Sequence, residues 1–392
     1  EAIEVYEYLD SRVQQILIEQ FQDEEAIEII DNISPDDRAQ LFDELPPKIV
    51  RKLIAQLSIK EREATALILG YQKETAGRIM TPEYIALKQH LTIREAQEKI
   101  RSLAEQSEIS YYLYVIDNNR KLLGTVSIKD LIIAGFEQTL EAIMNPDIVY
   151  AYTDTDQEEV ARLIQRYDLI ALPIVDKGEN LLGIVTIDDI FDILQQETTE
   201  DIYRMGAIEP EGDNYFDNSL FQVFKQRIPW LLILLLTNSV TIFTMSNFEA
   251  LLEAQVALAF FTPLLIDTGG NIGAQSATVV IRGLSTDELK NKKTSVVLIK
   301  ELITGGLLGL ILAILVIVGV LTFLGVFKLS LTVGITILVI STLAAVTGAA
   351  LPFVFSSMGF DPALMSAPLI TTVVDILGIL IYFNLAKLLL GI

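Results

Sequence analysis

Beyond about residue 228 the apolar positions stop coming in stripes and run in blocks, at roughly 229–246, 256–281, 296–324, 329–355 and 363–390. Each block reaches or approaches the roughly 20 residues that a helix needs to cross a bilayer, so they predict an all-α transmembrane domain of five helices. Upstream, residues 1–78 place Leu and Ile at helical spacing in short pieces. The run SPDDRAQLFDELPPKIVRKLIAQLS shows the pattern, with Ser34 and Pro46-Pro47 placed to start successive helices. Residues 80–134 and 144–194 are two copies of one unit. MTP (Met80 to Pro82) recurs as MNP (Met144 to Pro146), YLYVID as ALPIVD, and LLGTVSIKDL as LLGIVTIDDI. Short runs rich in Val, Ile and Tyr alternate with helical periodicity, and Asn118-Asn119 and Lys177-Gly178 mark turns. Each copy therefore predicts strand, helix, strand, turn, strand, helix. The expected limits are 1–78 for the helical domain, 79–138 and 139–197 for the repeats, 198–227 for a connecting helix and 228–392 for the membrane domain.

Charge sharpens this division. Of the formal net charge of −23, the region from Ile228 onward contributes only −1, so the preceding 227 residues carry −22. Such a surface repels nucleic acid and anionic lipid and concentrates cations. There is no Cys, and His90 is the lone His, which excludes thiolate and His-based metal sites. No catalytic residue set stands out, and nothing matches a phosphate loop, so the chain reads as neither an enzyme nor an ATP-driven motor. Lys225 and Arg227 precede the first span, and Arg282, Lys290, Lys292 and Lys293 lie between the second and third. By the positive-inside rule the acidic domains are expected in the cytoplasm and Ile392 outside. The chain opens on Glu1 in mid-helix pattern with no cleavable signal, so residues are expected to precede it in the natural protein.

Three features carry candidate chemistry. Asp375 stands in the middle of the last apolar block, in TTVVDILGILIYF, with no base within a helical turn. A carboxylate there costs roughly 2.5–3.5 kcal/mol, which points to a bundle interior, a wet cavity or an ion path. The second block, PLLIDTGGNIGAQSATVVIRG, holds Pro263, Asp267, Gly269, Gly270, Asn271, Gly273 and Gln275. A Pro/Gly break would free carbonyls, and carbonyls, amides and carboxylates are hard oxygen donors suited to Mg²⁺; close helix packing is the alternative. The run TIDDIFDILQQETTEDIYRMGAI places Asp189, Asp192, Glu197 and Glu200 within roughly 140° of one helix, with Asp201 and Asp188 at the flanks. Divalent cations shared with a facing acidic surface would turn repulsion there into adhesion. Asp36, Asp37 and Asp43 are weaker candidates, because acids in a first helical turn commonly serve the dipole.

The repeats resemble a pair of cystathionine-β-synthase (CBS) domains, through Gly124, Ser127 and Asp130 in the first and Gly183, Thr186 and Asp189 in the second. That likeness implies a ligand-sensing module, with Tyr112, Ser127 and Asp130 as candidates for an adenine nucleotide such as ATP; the motif Asp also caps a helix. Over essentially its whole length the chain resembles the MgtE family of Mg²⁺ channels and transporters, through PLLIDTGGNIGAQSATVVIRGL, DPALMSAPLITTVVDILGILIYF, TAGRIMTPEYIAL and ETTEDIYRMGAI. The resemblance implies a superhelical N-terminal domain and a homodimer in the cell inner membrane, with a pore on the two-fold axis. Asp375, Gly270, Asn271 and Asp267 would line the path. It further implies closure by cytoplasmic Mg²⁺ at Glu158, Asp168, Asp189, Asp192, Glu197, Glu200 and Asp201. Another divalent cation such as Mn²⁺ or Co²⁺, a CBS-regulated anion channel and a nucleotide sensor without transport remain as alternatives.

Overall fold

Proline and serine punctuate the first helices as their chemistry requires. In the computed structural model, which describes all residues except 1–5, 7–8, 10, 21–22, 104–110, 210–218, 287, 290–291, 365–366 and 392, the chain divides into two units, Glu1–Glu197 and Thr198–Ile392. The first unit begins with helices α1 (Ser11–Gln20), α2 (Asp23–Asn32), α3 (Pro35–Glu44), α4 (Pro47–Gln56), α5 (Ile59–Leu69) and α6 (Ala76–Ile79). Ser34 caps α3 by accepting from the Asp37 amide at 3.3 Å, and Pro35 takes the first helical position, where a missing N–H costs nothing. Helices two apart in sequence pack on one another, α1 on α3, α2 on α4 and α3 on α5, which is the progression of a superhelix. The core between them is Ile30, Ile33, Leu41, Phe42, Leu53 and Leu57. Arg38 is fully buried within it. Its guanidinium donates to the Ile30 and Ile33 carbonyls, to Thr65 and to Glu61, with which it forms a 3.0 Å ion pair.

The repeat region builds two small sheets of identical topology. The first has β1 (Ala86–Lys88), α7 (Ile93–Leu103), β2 (Tyr112–Ile116), β3 (Leu122–Ser127) and α8 (Ile128–Ile133), followed by α9 (Leu140–Ile143). The second has β4 (Ala151–Tyr152), α10 (Gln157–Tyr167), β5 (Ala171–Val175), β6 (Leu181–Thr186) and α11 (Ile187–Met205). In each, a parallel pair adjoins an antiparallel hairpin, and both hairpins carry a register shift at the same place, between Val115 and Ile116 and between Ile174 and Val175. The hairpin turns are held by Asp117 and Asp176, whose carboxylates accept two backbone amides each. The motif glycines have a packing reason. A Cβ on Gly183 would meet Met80 and the Thr81 carbonyl at 2.8 Å, and one on Gly124 would meet the Asn145 carbonyl at 2.9 Å. The Met-x-Pro segment that opens each repeat thus lies across the third strand of the other, which interlocks the pair.

In the second unit α12 (Leu220–Ser246), the short α13 (Glu249–Ala254), α14 (Ala257–Ser285), α15 (Thr294–Leu324), α16 (Phe327–Ser357), a 3₁₀ turn (Pro362–Leu364) and α17 (Ala367–Leu390) follow one another. By length and composition α12, α15, α16 and α17 can each cross a membrane. The fifth, α14, has 29 residues, and its Asp, Asn, Gln and Gly lower its apolarity. Helix α16 is the centre of the bundle, packed by α14, α15 and α17; its apolar window is 61% buried against 6% for α12, which is peripheral. Leu258, Leu265, Val333, Ile337, Ile340, Ile379 and Phe383 form the main core there, and the buried Tyr382 hydroxyl donates to the Leu258 carbonyl at 2.9 Å.

One expectation is modified. The break expected near Pro263 and Gly269-Gly270 is absent, because α14 runs unbroken from Ala257 to Ser285 with Pro263 early in the helix. The glycines serve close approach instead. The acidic run belongs to a helix that starts at Ile187 and ends at Met205, while residues from Leu220 already belong to the first-span helix. Residues on either side of 197/198 and of 227/228 thus belong to continuous helices, and the division of the chain into two units falls at Glu197/Thr198.

Candidate ion path and acidic sensor

Helix α14 presents three faces. Gly269 and Gly273 allow its backbone to lie against α16 and α17: a Cβ on Gly269 would sit 2.7 Å from Ile340, and one on Gly348 would sit 2.1 Å from the Gly273 carbonyl oxygen. Gly270 faces the fifth-span helix, where a Cβ would come 3.2 Å from Thr371 and 3.7 Å from an Asp375 carboxylate oxygen. The backbone of Gly270 and the carboxylate of Asp375 thus share one neighbourhood. Asp267 lies about one turn earlier on α14, and its charge acts on Asp375. The third face is polar and exposed, carrying Asp267, Asn271, Gln275 and Thr278 at spacings of three and four residues. The structure brings together Asp375, Gly270 and Asp267, and sets Asn271 on the adjoining exposed stripe.

The acids assigned to regulation do not form one set. Asp189, in the first turn of α11, meets Asp36 and Asp37 in the first turn of α3, and carboxylate oxygens of the three lie within 4.8 Å of one another. The electrostatics are those of crowded, partly desolvated acids. Burial, then the charges of Asp188 and Asp37, push the Asp189 carboxyl up to about 7 against an opposing hydrogen bond from the Thr186 hydroxyl. Burial also raises Asp37, with Asp188 and Asp192 adding to it and a Ser34 hydrogen bond opposing. Three hard carboxylates at this spacing fit a divalent cation held through oxygen or through its water shell. A second group surrounds Glu197, which accepts from Gln157 at 2.6 Å and is raised by burial and by Glu158, Asp156 and Glu74. Glu158 itself pairs with Arg162 at 2.6 Å. Asp168 lies apart, exposed at the far end of α10 in the left-handed conformation that caps it. Asp192 is exposed on α11 beside the first group, and Asp201 is half-buried one turn from the helix end. Glu200 pairs with Arg204, whose guanidinium also pairs with Asp361 ahead of the fifth-span helix.

The nucleotide candidates also cluster. Tyr112 and Ser127 are direct register partners across β2 and β3, and Ser127 caps α8 by accepting from the Asp130 amide at 3.0 Å while donating to the Asp130 carboxylate at 2.6 Å. Capping and ligand binding compete for the same atoms. Two features were weak or absent as signals in the sequence. Asp36 and Asp37 read as ordinary first-turn acids, because only the tertiary approach of α3 to α11 gives them a partner. Arg204 and Asp361 are separated by 157 residues, and no local pattern connects them.

Known families match in the same order along the chain. A family described as the MgtE intracellular N domain matches residues 1–74, CBS domains match 76–137 and 140–196, and a family described as a divalent cation transporter, MgtE, matches 262–385. A protein of Thermus thermophilus named magnesium transporter MgtE is 42% identical over 344 residues, 88% of this chain and 76% of that protein. The chain belongs to the MgtE family. A Bacillus subtilis magnesium transporter MgtE is 36% identical over 379 residues, 96% of this chain and 83% of that one. Among solved structures, the cytosolic domain of the Mg²⁺ channel MgtE in complex with ATP is 37% identical, covers 49% of this chain and 79% of its own, and superposes with a TM-score of 0.48. This MgtE chain is thus a member of a transporter family and not of an enzyme family, and its three-part architecture is the one expected from its patterns.

Proposed function

We propose that this chain carries Mg²⁺ inward through the membrane, as a homodimer whose path runs between the α14 and α17 helices of the two subunits. The observation that carries the reading is the juxtaposition of Asp375 and the Gly270 backbone beside the exposed stripe of Asp267, Asn271 and Gln275. A polar stripe on a membrane helix is unfavourable against lipid and favourable against water or a second copy. Hard oxygens at wide spacing suit an ion that keeps part of its water shell, as Mg²⁺ does. Two positive charges moving inward gain about 4.6 kcal/mol per 100 mV, so no fuel-hydrolysing site is needed.

The acidic unit is the sensor. With its domains in the cytoplasm and Ile392 outside, Mg²⁺ bound among Asp36, Asp37 and Asp189 removes the repulsion between α3 and α11, with Asp192 beside them. Ions at Glu158 and Glu197 act likewise, and Asp168, Glu200 and Asp201 complete the regulatory set. A nucleotide such as ATP bound at Tyr112, Ser127 and Asp130 would tune this response. The reading is tested by Mg²⁺, Mn²⁺ and Co²⁺ flux into liposomes bearing wild type or Asp375→Ala, with Mg²⁺ varied on the side of the acidic unit. Loss of Mg²⁺ flux in the variant and closure of the wild type by millimolar-order Mg²⁺ are the expected results. Flux indifferent to Asp375, or Mn²⁺ or Co²⁺ flux far above that of Mg²⁺, overturns it.

A further inference from the structure

Glu301 lies two turns into α15, within the apolar third block, and the ion path described above makes no use of it. Its half-buried carboxylate accepts the hydroxyl of the buried Ser276 on α14 at 2.7 Å. The two helices are consecutive, yet they share almost no backbone packing, since each lies instead against α16. A hydrogen bond between helices that scarcely pack is a tether. Its place on α14 gives it a consequence. At 100° per residue Ser276 is about 180° from Asp267 and about 100° from Gln275, on the side opposite the polar stripe. At the level of the polar stripe the remaining side meets its neighbours through Gly269, Gly270 and Gly273, with Leu265, Ile272, Ala277 and Ile281 packed in the core beside them. At that level the glycine contact lets backbones approach without side chains to interlock, so it fixes the local distance of α14 better than its local rotation. A directional, charge-assisted bond supplies what the glycines lack.

We propose that Glu301 is a positioning residue of the ion path: by holding Ser276 it sets the rotation of α14 and aims Asn271 and Gln275. This rests on the transport reading above. Side-chain ends lie about 5–6 Å from a helix axis, so a rotational slip of about 20° displaces them by about 2 Å, enough to alter how an ion's water shell is met.

The chain has no cysteine, so a single Cys replacing Thr278, on the exposed stripe, reports its orientation without background. The full chain carrying Thr278→Cys is reconstituted alone and with Glu301→Ala, Glu301→Gln, Ser276→Ala or Glu301→Ala/Ser276→Ala. The rate of modification by a charged methanethiosulfonate reagent is read beside the Mg²⁺:Ca²⁺ flux ratio of the same substitutions without the reporter. Glu301→Ala and Ser276→Ala should each change the labelling rate and the flux ratio about fivefold. The double variant should be no worse than either single one, as for two ends of one bond. Glu301→Gln, which still accepts a hydroxyl, should stay within about twofold of wild type. Unchanged labelling, additive losses, a Gln variant as altered as the Ala variant, or a wild-type reporter that never reacts would each overturn the proposal. Should the wild type carry no divalent cation, the transport reading fails, while the labelling series still decides the positioning role.

Discussion

The closest helix approach in the membrane unit gives the sharpest quantitative prediction. At Gly348 a Cβ would sit 2.1 Å from the Gly273 carbonyl oxygen and 2.8–2.9 Å from two further backbone atoms of Gly273. The obstacle is backbone on a long helix, which cannot rotate aside as a side chain would. Restoring an ordinary contact requires α14 and α16 to separate by about 1 Å, and overpacking of this kind costs about 1–3 kcal/mol. Gly→Ala in a helix also gains about 1 kcal/mol of intrinsic propensity, so the variant needs a reference. Gly319 on α15 provides it, because a Cβ there meets nothing within 4 Å. Gly319→Ala keeps the propensity gain without the clash. The difference between Gly348→Ala and Gly319→Ala therefore isolates the packing cost, and it should lower the thermal midpoint of the detergent-purified protein by roughly 3–10 °C. Since Gly270 and Asp375 face each other about one turn from this contact, Mg²⁺ flux should fall tenfold or more in Gly348→Ala and stay at wild-type level in Gly319→Ala. Equal midpoints and equal flux in the two variants would refute the backbone approach and the path geometry built on it.

Proton competition should mark the sensor. A carboxyl raised from 3.8 to about 7 keeps its proton in the folded state where the unfolded chain has lost it, so Asp189 costs stability as pH rises from about 4 to 7, and the cost is complete above 7. A cation that replaces the proton relieves that cost, so the Mg²⁺ concentration that half-inhibits flux should drop about tenfold from pH 6 to pH 8 and lose most of that dependence in Asp189→Asn. Arg38→Met leaves Glu61 with only the exposed Lys60 as a partner and strips the buried Ile30 and Ile33 carbonyls; a loss of about 1–3 kcal/mol for each group left unpaired should appear as rapid proteolysis of the helical domain, with flux retained and Mg²⁺ inhibition lost. In the charge-swapped pair Arg204→Asp and Asp361→Arg, each single variant should shift the half-inhibiting Mg²⁺ concentration severalfold and the double should return toward wild type; single variants that behave as wild type would show the pair to be idle.

Legibility followed the range of the interaction. The repeats were readable because each strand and turn leaves a local signature, down to Asp117 and Asp176 folding the two hairpin turns in the same way. Asp375 was readable because burial of a carboxylate in an apolar block is unfavourable wherever its neighbours are. The continuity of α14 was not readable, since Pro263 and three glycines disfavour helix in water, whereas here the glycines are confined by Ile340, Thr371 and Val374 and Pro263 lies early in the helix. Nor could sequence divide the acids of one helix face among different partners. Asp189 turns to Asp36 and Asp37 and Glu197 to Gln157, each choice made by a segment distant in the chain, whereas Glu200 pairs with Arg204 one turn on in the same helix.

That division bears on how a weak ion signal could become a decision. Helix α11 carries Asp189 in its first turn and Arg204 in its last, about 22 Å apart at 1.5 Å per residue. Its start is unfavourable without a cation, because buried carboxylates repel there. Its end is held without one, because Arg204 lies between Glu200 and Asp361 and Met205 packs against the core cluster that holds Ala363 and Ile370. Under the proposed sensor reading, one end of this helix is conditional on Mg²⁺ and the other is not. If both ends depended on the ion, its loss would free the helix entirely. On that reading the Arg204 guanidinium still holds the far end when Mg²⁺ is lost, and only the sensor end is freed. Neutralising Arg204 should then make closure depend on more Mg²⁺ and with a steeper concentration dependence, because ions would have to supply both anchors. A variant that closes at the same Mg²⁺ concentration with the same steepness would remove Arg204 from the gate.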